Sequence, residues 1–317
     1  MNLTDPRFQD AEKAREWLEM QRWPNGPHCT HCGSYSVTGL QGKAHRPGVY
    51  QCNDCREQFT VTTGSVMERS KIPLNKWLMA MHLMGASKKG YSAHQLHRTL
   101  GITYQSAWFL AHRIREAMRD SAPSAIGGGG KIVEADETYF GETEKHRIPT
   151  LKRKIPKRGF PNRGPRNKRA IVALVERGGS VRTFHVDRAT AETVRDVIVR
   201  NVSRKSTLHT DESNLYTTLG SEFAAHETVK HSAKEYVRGD VHTNTVEGFF
   251  SIFKRGMKGI YQHCSEAHLH RYLAEFDFRY NNRSGLGVED TERAAKIIQQ
   301  AGGKRLTYRR TNEAQNA

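Results

Sequence analysis

The stretch Ile132-Val-Glu-Ala-Asp136-Glu-Thr-Tyr-Phe140 sets β-favouring residues around an acidic centre, and its reading decides how the second half of the chain folds. With Lys131 it makes a strand, and further strands are expected over Ala170 to Val175, Val181 to Val186 and Ser206 to His209. A helix is expected over Ala191 to Asn201, and a long helical region from Val246 to about Tyr280 closes the core. That succession is an α/β domain with strands leading.

Upstream, Ser121-Ala-Pro-Ser-Ala-Ile-Gly-Gly-Gly-Gly130 reads as a linker, since proline, serine and four glycines leave the backbone little preference for one conformation. It divides the chain into an N-terminal helix and cysteine segment over 1–70, a helical segment over 71–120, the linker 121–130, the α/β domain over 131–285 and a C-terminal helix with a frayed tail over 286–317. Residues 5 to 22 read as one amphipathic helix.

Cys29-Thr-His-Cys32 and Cys52-Asn-Asp-Cys55 are separated by 19 residues, the spacing of a zinc ribbon in which four thiolates surround one Zn²⁺. Four thiolates fill the coordination sphere, so the ion is structural, and metal binding supplies folding free energy that so small a segment lacks. Cys264 stands alone and reads as a packed thiol.

From Ser92 to Ile114 the sequence fits a helix-turn-helix. Gly101 marks the turn, Thr103 caps the second helix, and Leu96, Leu100, Ile102, Ala107 and Leu110 form the packing stripe. Tyr104, Gln105, Ser106 and His112 or Arg113 are left facing outward, where a recognition helix meets DNA; an ordinary helical hairpin is the plain alternative.

The chemistry sits in carboxylates at strand ends. Asp136 and Asp211, the latter in His209-Thr-Asp-Glu-Ser213, lie where strands give way to loops, and such carboxylates can share a pair of Mg²⁺ ions for phosphoryl transfer. Glu134, Glu137 and Glu212 are neighbours that read more readily as solvated charges. A third ligand is expected from His242-Thr-Asn-Thr-Val-Glu-Gly-Phe-Phe-Ser-Ile-Phe-Lys254. There Glu247 and Lys254 lie two helical turns apart on one face, the lysine placed to hold DNA phosphate. Asn244 and Glu247 also have the spacing of a capping box, which requires no catalysis.

Charge points the same way. The 317 residues carry 50 Lys+Arg against 33 Asp+Glu, a net +17 that favours a polyanionic partner. Residues 143–169 hold eleven Lys/Arg and one acid, so most of the surplus lies in one basic insertion just beyond Asp136. Lys152, Arg153, Lys154, Lys157 and Arg158 within it are expected to contact DNA, together with Tyr104, Gln105, Arg113 and Lys254. No run of about 20 apolar residues offers a membrane span, and the N-terminus lacks a charged start followed by an apolar stretch, so a cytoplasmic, nucleoid-associated protein is expected.

Taken together, the C-x-x-C pairs, Glu-Ala-Asp136-Glu-Thr-Tyr-Phe-Gly, His-Thr-Asp211-Glu-Ser and His-Thr-Asn244-Thr-Val-Glu247-Gly-Phe-Phe-Ser-Ile-Phe-Lys254-Arg resemble the bacterial insertion-sequence transposases of the ISXO-like group, over most of the chain. The resemblance implies an N-terminal zinc ribbon, a ribonuclease-H-like DDE catalytic domain and two Mg²⁺ ions, with Mn²⁺ as a substitute. It also implies cut-and-join chemistry on transposon ends and target DNA, with Asp136 and Asp211 as the first two acids. That group varies at the third position between Glu and Asn followed by a lysine, so Asn244 and Glu247 are both candidates and Lys254 matches the trailing base; a carboxylate binds Mg²⁺ better than a neutral amide. Two DNA ends make a dimer or larger synaptic complex reasonable. The rival readings are a zinc-ribbon and helix-turn-helix regulator without catalysis, and a two-metal nuclease that does not join strands.

Overall fold

The computed structural model describes residues 3–142 and 168–307, and the chain divides into two units, Met1–Asp120 with Asn282–Ala317, and Ser121–Asn281. In the first unit the expected N-terminal helix is two helices, α1 (Pro6–Gln9) and α2 (Ala11–Arg22). Asp10 between them is extended, and its carboxylate accepts from the N–H groups of Glu12 and Lys13 at 2.8 and 2.9 Å; capping a new helix there is worth about 1 kcal/mol. A three-stranded antiparallel sheet follows, β1 (Val37–Gly39), β2 (Val49–Cys52) and β3 (Gln58–Thr60), with β2 central.

Three helices complete this part: α3 (Leu74–Ala86), α4 (Ala93–Leu100) and α5 (Tyr104–Met118). Ser92 and Gln95 form a reciprocal capping box, Gly101 turns the chain in the left-handed region at φ +58°, and the Thr103 hydroxyl caps α5 through the Ser106 N–H. Leu96, Leu100, Ala107 and Leu110 are buried between the helices, the stripe expected of a helix-turn-helix.

The second unit carries a five-stranded mixed sheet made of β4 (Ile132–Glu142), β5 (Lys168–Glu176), β6 (Val181–Val186), β7 (Thr207–Asp211) and β8 (Ala225–Val229), in the order β6-β5-β4-β7-β8. The first three strands are antiparallel neighbours, while β7 and β8 run parallel to β4. Counted along the domain the order is 3-2-1-4-5, the arrangement of a ribonuclease-H-like sheet. β8 has no counterpart among the expected strands, and β7 extends through Asp211 rather than stopping at His209. β4 likewise runs on to Glu142, paired with β5 past Asp136, so Asp136 lies inside a strand rather than where one gives way to a loop.

β5 explains the layering. Ala170, Val172 and Leu174 pack with Val194 and Ile198 of α6 (Ala191–Asn201) on one face. Ile171, Ala173 and Val175 pack on the other with Val246, Phe249, Phe250 and Phe253 of α7 (Asn244–Gly256) and with Leu269, Leu273 and Phe276 of α8 (Leu269–Asn281). A strand buried on both faces reads as a continuous apolar run, as β5 does.

Two expectations change here. The single helical region expected over 246–280 is two helices, parted by a π-helical turn at Met257–Tyr261 and by Gln262 at φ +57°; Gly256 and Gly259 weaken helix propensity where the break falls. The glycine run is not a loose tether either. Ile126 bridges Val202, the Gly127 N–H donates to Glu176 Oε2 at 3.1 Å and the Gly128 N–H to Ser206 Oγ at 2.9 Å. A Cβ on Gly127, at φ +88°, would meet Ser206 Oγ at 2.1 Å, so glycine here permits close approach. The C-terminal α9 (Asp290–Gln299) belongs to the first unit, where Ile297 meets Gly85 of α3.

Candidate active site and metal centre

The register of β4 against β7 pairs Ile132 with Thr207, Val133 with Leu208 and Glu134 with His209. Two residues further along both strands come Asp136 and Asp211, and because side chains alternate at a period of two, both belong to the face on which α7 packs. Asp136 is pushed up to about 8 by burial, by Glu137 and Asp211, and by Glu247, against the Glu137 N–H that favours its charge. Asp211 is also raised, by burial first, opposed by the Ser213 N–H and His231 and reinforced by Glu212 and Glu247. Both aspartates therefore feel the α7 carboxylate.

The remaining acids are already engaged. Glu134 is fully buried, and its oxygens accept from Arg177 Nε at 2.6 Å, the Thr245 hydroxyl at 2.8 Å, and the N–H groups of Thr245 and Val246 at 2.8 and 3.0 Å. A carboxylate offers about four lone-pair sites, so Glu134 has none left for a metal. Glu137 points to the α6 side and accepts from the Tyr216 hydroxyl at 2.5 Å; burial raises it, with Tyr216 opposing and Asp211 adding. Glu212 accepts from the N–H and hydroxyl of Ser232, both at 2.8 Å. Solvated charge thus misdescribes Glu134 and Glu137: one closes a helix end and the other a buried hydroxyl.

Glu247 accepts from the Thr243 hydroxyl at 3.1 Å, lies 4.0 Å from His231 Nε2 and keeps 49% of its side chain exposed. Asn244 is the first residue of α7 with Thr243 as the cap, so the capping box considered for Asn244 and Glu247 does not form. The α7 N-terminus is capped instead by Glu134, from a strand 111 residues earlier. Lys254 Nζ lies 5.9 Å from the centre of the Phe250 ring, on the half-buried face of α7.

The four ribbon sulfurs lie within 4.8 Å of one another, with Cys29 to Cys55 at 3.6 Å and Cys32 to Cys52 at 3.5 Å. Against burial, the N–H groups of Cys32 and His31 hold the Cys29 thiol down at about 6. The Glu57 N–H favours the Cys55 thiolate, but burial and the other three sulfurs push it up to about 12. Sulfurs that resist joint ionisation at this spacing suit a soft divalent cation that would neutralise them, and the four-cysteine cluster supports structural Zn²⁺. Among the described residues no other group of three or more His, Cys, Asp or Glu side chains gathers this closely, so the acidic set is the more open of the two.

In the helical pair, Tyr104 is 44% exposed and stacks on His94 at 4.3 Å, with Gln105 exposed beside it. Arg113 is placed otherwise than expected. It donates to the carbonyls of Glu68 at 3.1 Å and Leu306 at 3.2 Å, and its guanidinium lies on Phe109. Nine residues are two and a half helical turns, so Arg113 lies opposite Tyr104 on α5. His112 is buried, because the last two turns of α5 are enclosed on nearly every side. Lys152, Arg153, Lys154, Lys157 and Arg158 lie outside the described residues; Lys168 and Arg169, the end of the basic insertion, belong to β5, and Arg169 donates to the Cys264 carbonyl at 2.6 Å.

Comparison with known proteins accords with this architecture. Residues 127–281 match the ISXO2-like transposase domain and residues 9–58 the transposase zinc-ribbon domain, together well over half of the chain. The chain is 29% identical over 279 residues to a protein described as "Uncharacterized protein in transposable element ISH50" from Halobacterium salinarum, covering 86% of this chain and 91% of that one. Among solved structures, the simian T-cell lymphotropic virus intasome in complex with PP2A regulatory subunit B56 gamma is similar at a TM-score of 0.30 and 15% identity, over 57% of this chain and 63%, less than two thirds, of that chain. A mixed sheet of this order with a DDE domain defines a polynucleotidyl-transferase kind of enzyme. The chain belongs to the insertion-sequence transposases of the ISXO2-like group. No helix among the described residues is long and apolar enough to cross a membrane.

Proposed function

We propose that this transposase binds the terminal inverted repeats of its insertion sequence, cuts the DNA at the ends and joins the new 3′-hydroxyls to target DNA. The observation that carries this reading is the alignment of Asp136 and Asp211 on one sheet face, each raised by burial and by the Glu247 carboxylate. Carboxylates that raise one another suit hard divalent cations, which relieve the repulsion; Asp136, Asp211 and Glu247 would hold two Mg²⁺ or Mn²⁺ ions. Such ions activate the attacking hydroxyl and stabilise the leaving oxygen in phosphoryl transfer. Asp136 and Asp211 orient through the N–H groups of Glu137 and Ser213, at 2.8 and 3.0 Å. Lys254, two turns along α7 from Glu247, holds backbone phosphate as a point charge. Tyr104 and Gln105 on the helix-turn-helix, and the lysines and arginines of 143–167, supply further DNA contacts. Two copies, one for each end, are required for a joined product.

Incubation with oligonucleotides carrying the element ends, target plasmid and Mg²⁺, with mapping of products, separates the readings. Joined ends support the transposase, cleaved ends without joining the nuclease, and binding without cleavage the regulator. Asp136→Asn and Asp211→Asn are expected to lose joining while keeping end binding. Glu247→Gln should lower joining by about a thousandfold, and Asn244→Ala by no more than about tenfold, because an amide binds Mg²⁺ poorly. The reverse order would make Asn244 the third ligand.

A further inference from the structure

Arg177, in the turn between β5 and β6, gathers three separate parts of the domain. Its Nε donates to Glu134 Oε1 on β4 at 2.6 Å, its Nη1 to the Asp240 carbonyl at 2.7 Å, and its Nη2 to the His242 carbonyl at 2.9 Å. The same Nη2 lies 2.9 Å from His242 Nδ1 and 3.2 Å from His209 Nδ1 on β7. Glu134 in turn accepts from the Thr245 and Val246 N–H groups in the first turn of α7 and from the Thr245 hydroxyl, two residues before Glu247. The loop 240–242 and the first turn of α7 are therefore fastened to β4 through one carboxylate–guanidinium pair.

We propose that Glu134 and Arg177 are positioning residues that set the distance between the α7 carboxylate and the two strand aspartates. This rests on reading Asp136, Asp211 and Glu247 as the metal-binding acids. Glu134 and Asp136 share one face of β4, two residues apart, so a single strand carries the first acid and the anchor of the helix that carries the third. Glu247 is half exposed, and among the described residues its side chain is held by Thr243 and a distant His231. Its placement thus follows the start of α7. A full complement of donors keeps Glu134 from acting as a ligand itself, while its burial with Arg177 makes the arrangement rigid. Outer partners that orient metal ligands are typically worth about 10–100-fold in affinity or activity.

The test uses the full-length, zinc-loaded protein and Mn²⁺ as the probe. Mn²⁺ affinity is measured by titration calorimetry, and backbone amide exchange by mass spectrometry, for Glu134→Gln, Arg177→Lys and Thr245→Val. The expected result is Mn²⁺ binding about 10–100-fold weaker for the first two and a few-fold weaker for Thr245→Val. Amide exchange should quicken at residues 243–250 while β5 keeps its protection, which a general loss of structure would not do. Wild-type Mn²⁺ affinity in Arg177→Lys and Thr245→Val would overturn the proposal, even where Glu134→Gln fails to fold. Asp136→Asn serves as the reference: Mn²⁺ binding unchanged in that variant would overturn the reading of the acids as a metal site, whereas binding lost there but intact in the positioning variants would overturn only the role of Glu134 and Arg177.

Discussion

Replacing Asp136 with asparagine should make the Mg²⁺-free protein more stable at alkaline pH while abolishing its chemistry. In the folded chain the carboxyl titrates near 8 rather than 3.8, held up chiefly by burial and then by Glu137, Asp211 and Glu247. That difference corresponds to about 5–6 kcal/mol against the charged form, an upper bound because water and side-chain relaxation relieve part of it; about 2 kcal/mol is the expected net effect at pH 9. A group whose folded value lies above its unfolded one contributes stability that is fully present below about 4 and is lost as pH rises through 8. The wild type without Mg²⁺ should therefore lose stability across that window and recover when Mg²⁺ is added. Asp136→Asn should show a flatter profile, little response to Mg²⁺, and a Tm about 4–8 °C above wild type at pH 9 for a unit of this size. The assay is a thermal melt followed by circular dichroism from pH 5 to 9 in Mg²⁺-free buffer, avoiding chelators that would extract zinc, beside a strand-joining reaction. A variant that melts with the wild type at pH 9, or one that still joins DNA, would refute the account.

Cys52→Ser is expected to lose bound zinc, measured by elemental analysis, and to expose residues 28–60 to protease while amide protection in β5 persists, since apparent binding energies of structural zinc run to about 10–16 kcal/mol. Asp277, raised to about 7 by burial against the Thr183 donors and Arg182, should cost stability as pH climbs from about 4 to 7. Asp277→Asn should therefore melt about 2–4 °C higher at pH 8 and no higher at pH 4, a gain of about 1 kcal/mol, and parallel melting curves at both pH values would count against it. Deleting 143–167, which holds nine of the eleven basic residues of the insertion, should lower the slope of log affinity against log salt by several units in a fluorescence-anisotropy titration with duplex DNA. An unchanged slope would remove that segment from the interface.

Several features are readable along the chain because their causes are local. The cysteine spacing, Gly101 and Thr103 at the helical turn, and the apolar run of β5 each depend on neighbours in sequence. Sequence and structure part where partners are distant. Arg113 reads as free, yet the carbonyls of Glu68 and Leu306 claim it, and the glycine run reads as slack, yet Ser206 and Glu176 take its N–H groups. Spacing points to Asn244, three residues from Glu247, as the cap of α7, whereas N–H groups of its first turn are taken by Glu134 on the distant strand β4.

The sequence by itself determined the residue types: four thiols for a soft ion, acids among strand residues for hard ones, and a surplus of positive charge for a polyanion. What only the tertiary structure decided was which acid does what. Glu134, Asp136 and Glu137 stand within four residues and are chemically alike, yet the pleat sends Glu137 to Tyr216 and the other two toward α7, and the helix start exhausts Glu134. A carboxylate's role depends on which of its lone pairs are already taken and how far it is from other charges, and both are set by residues that the fold, not the order of the chain, brings near.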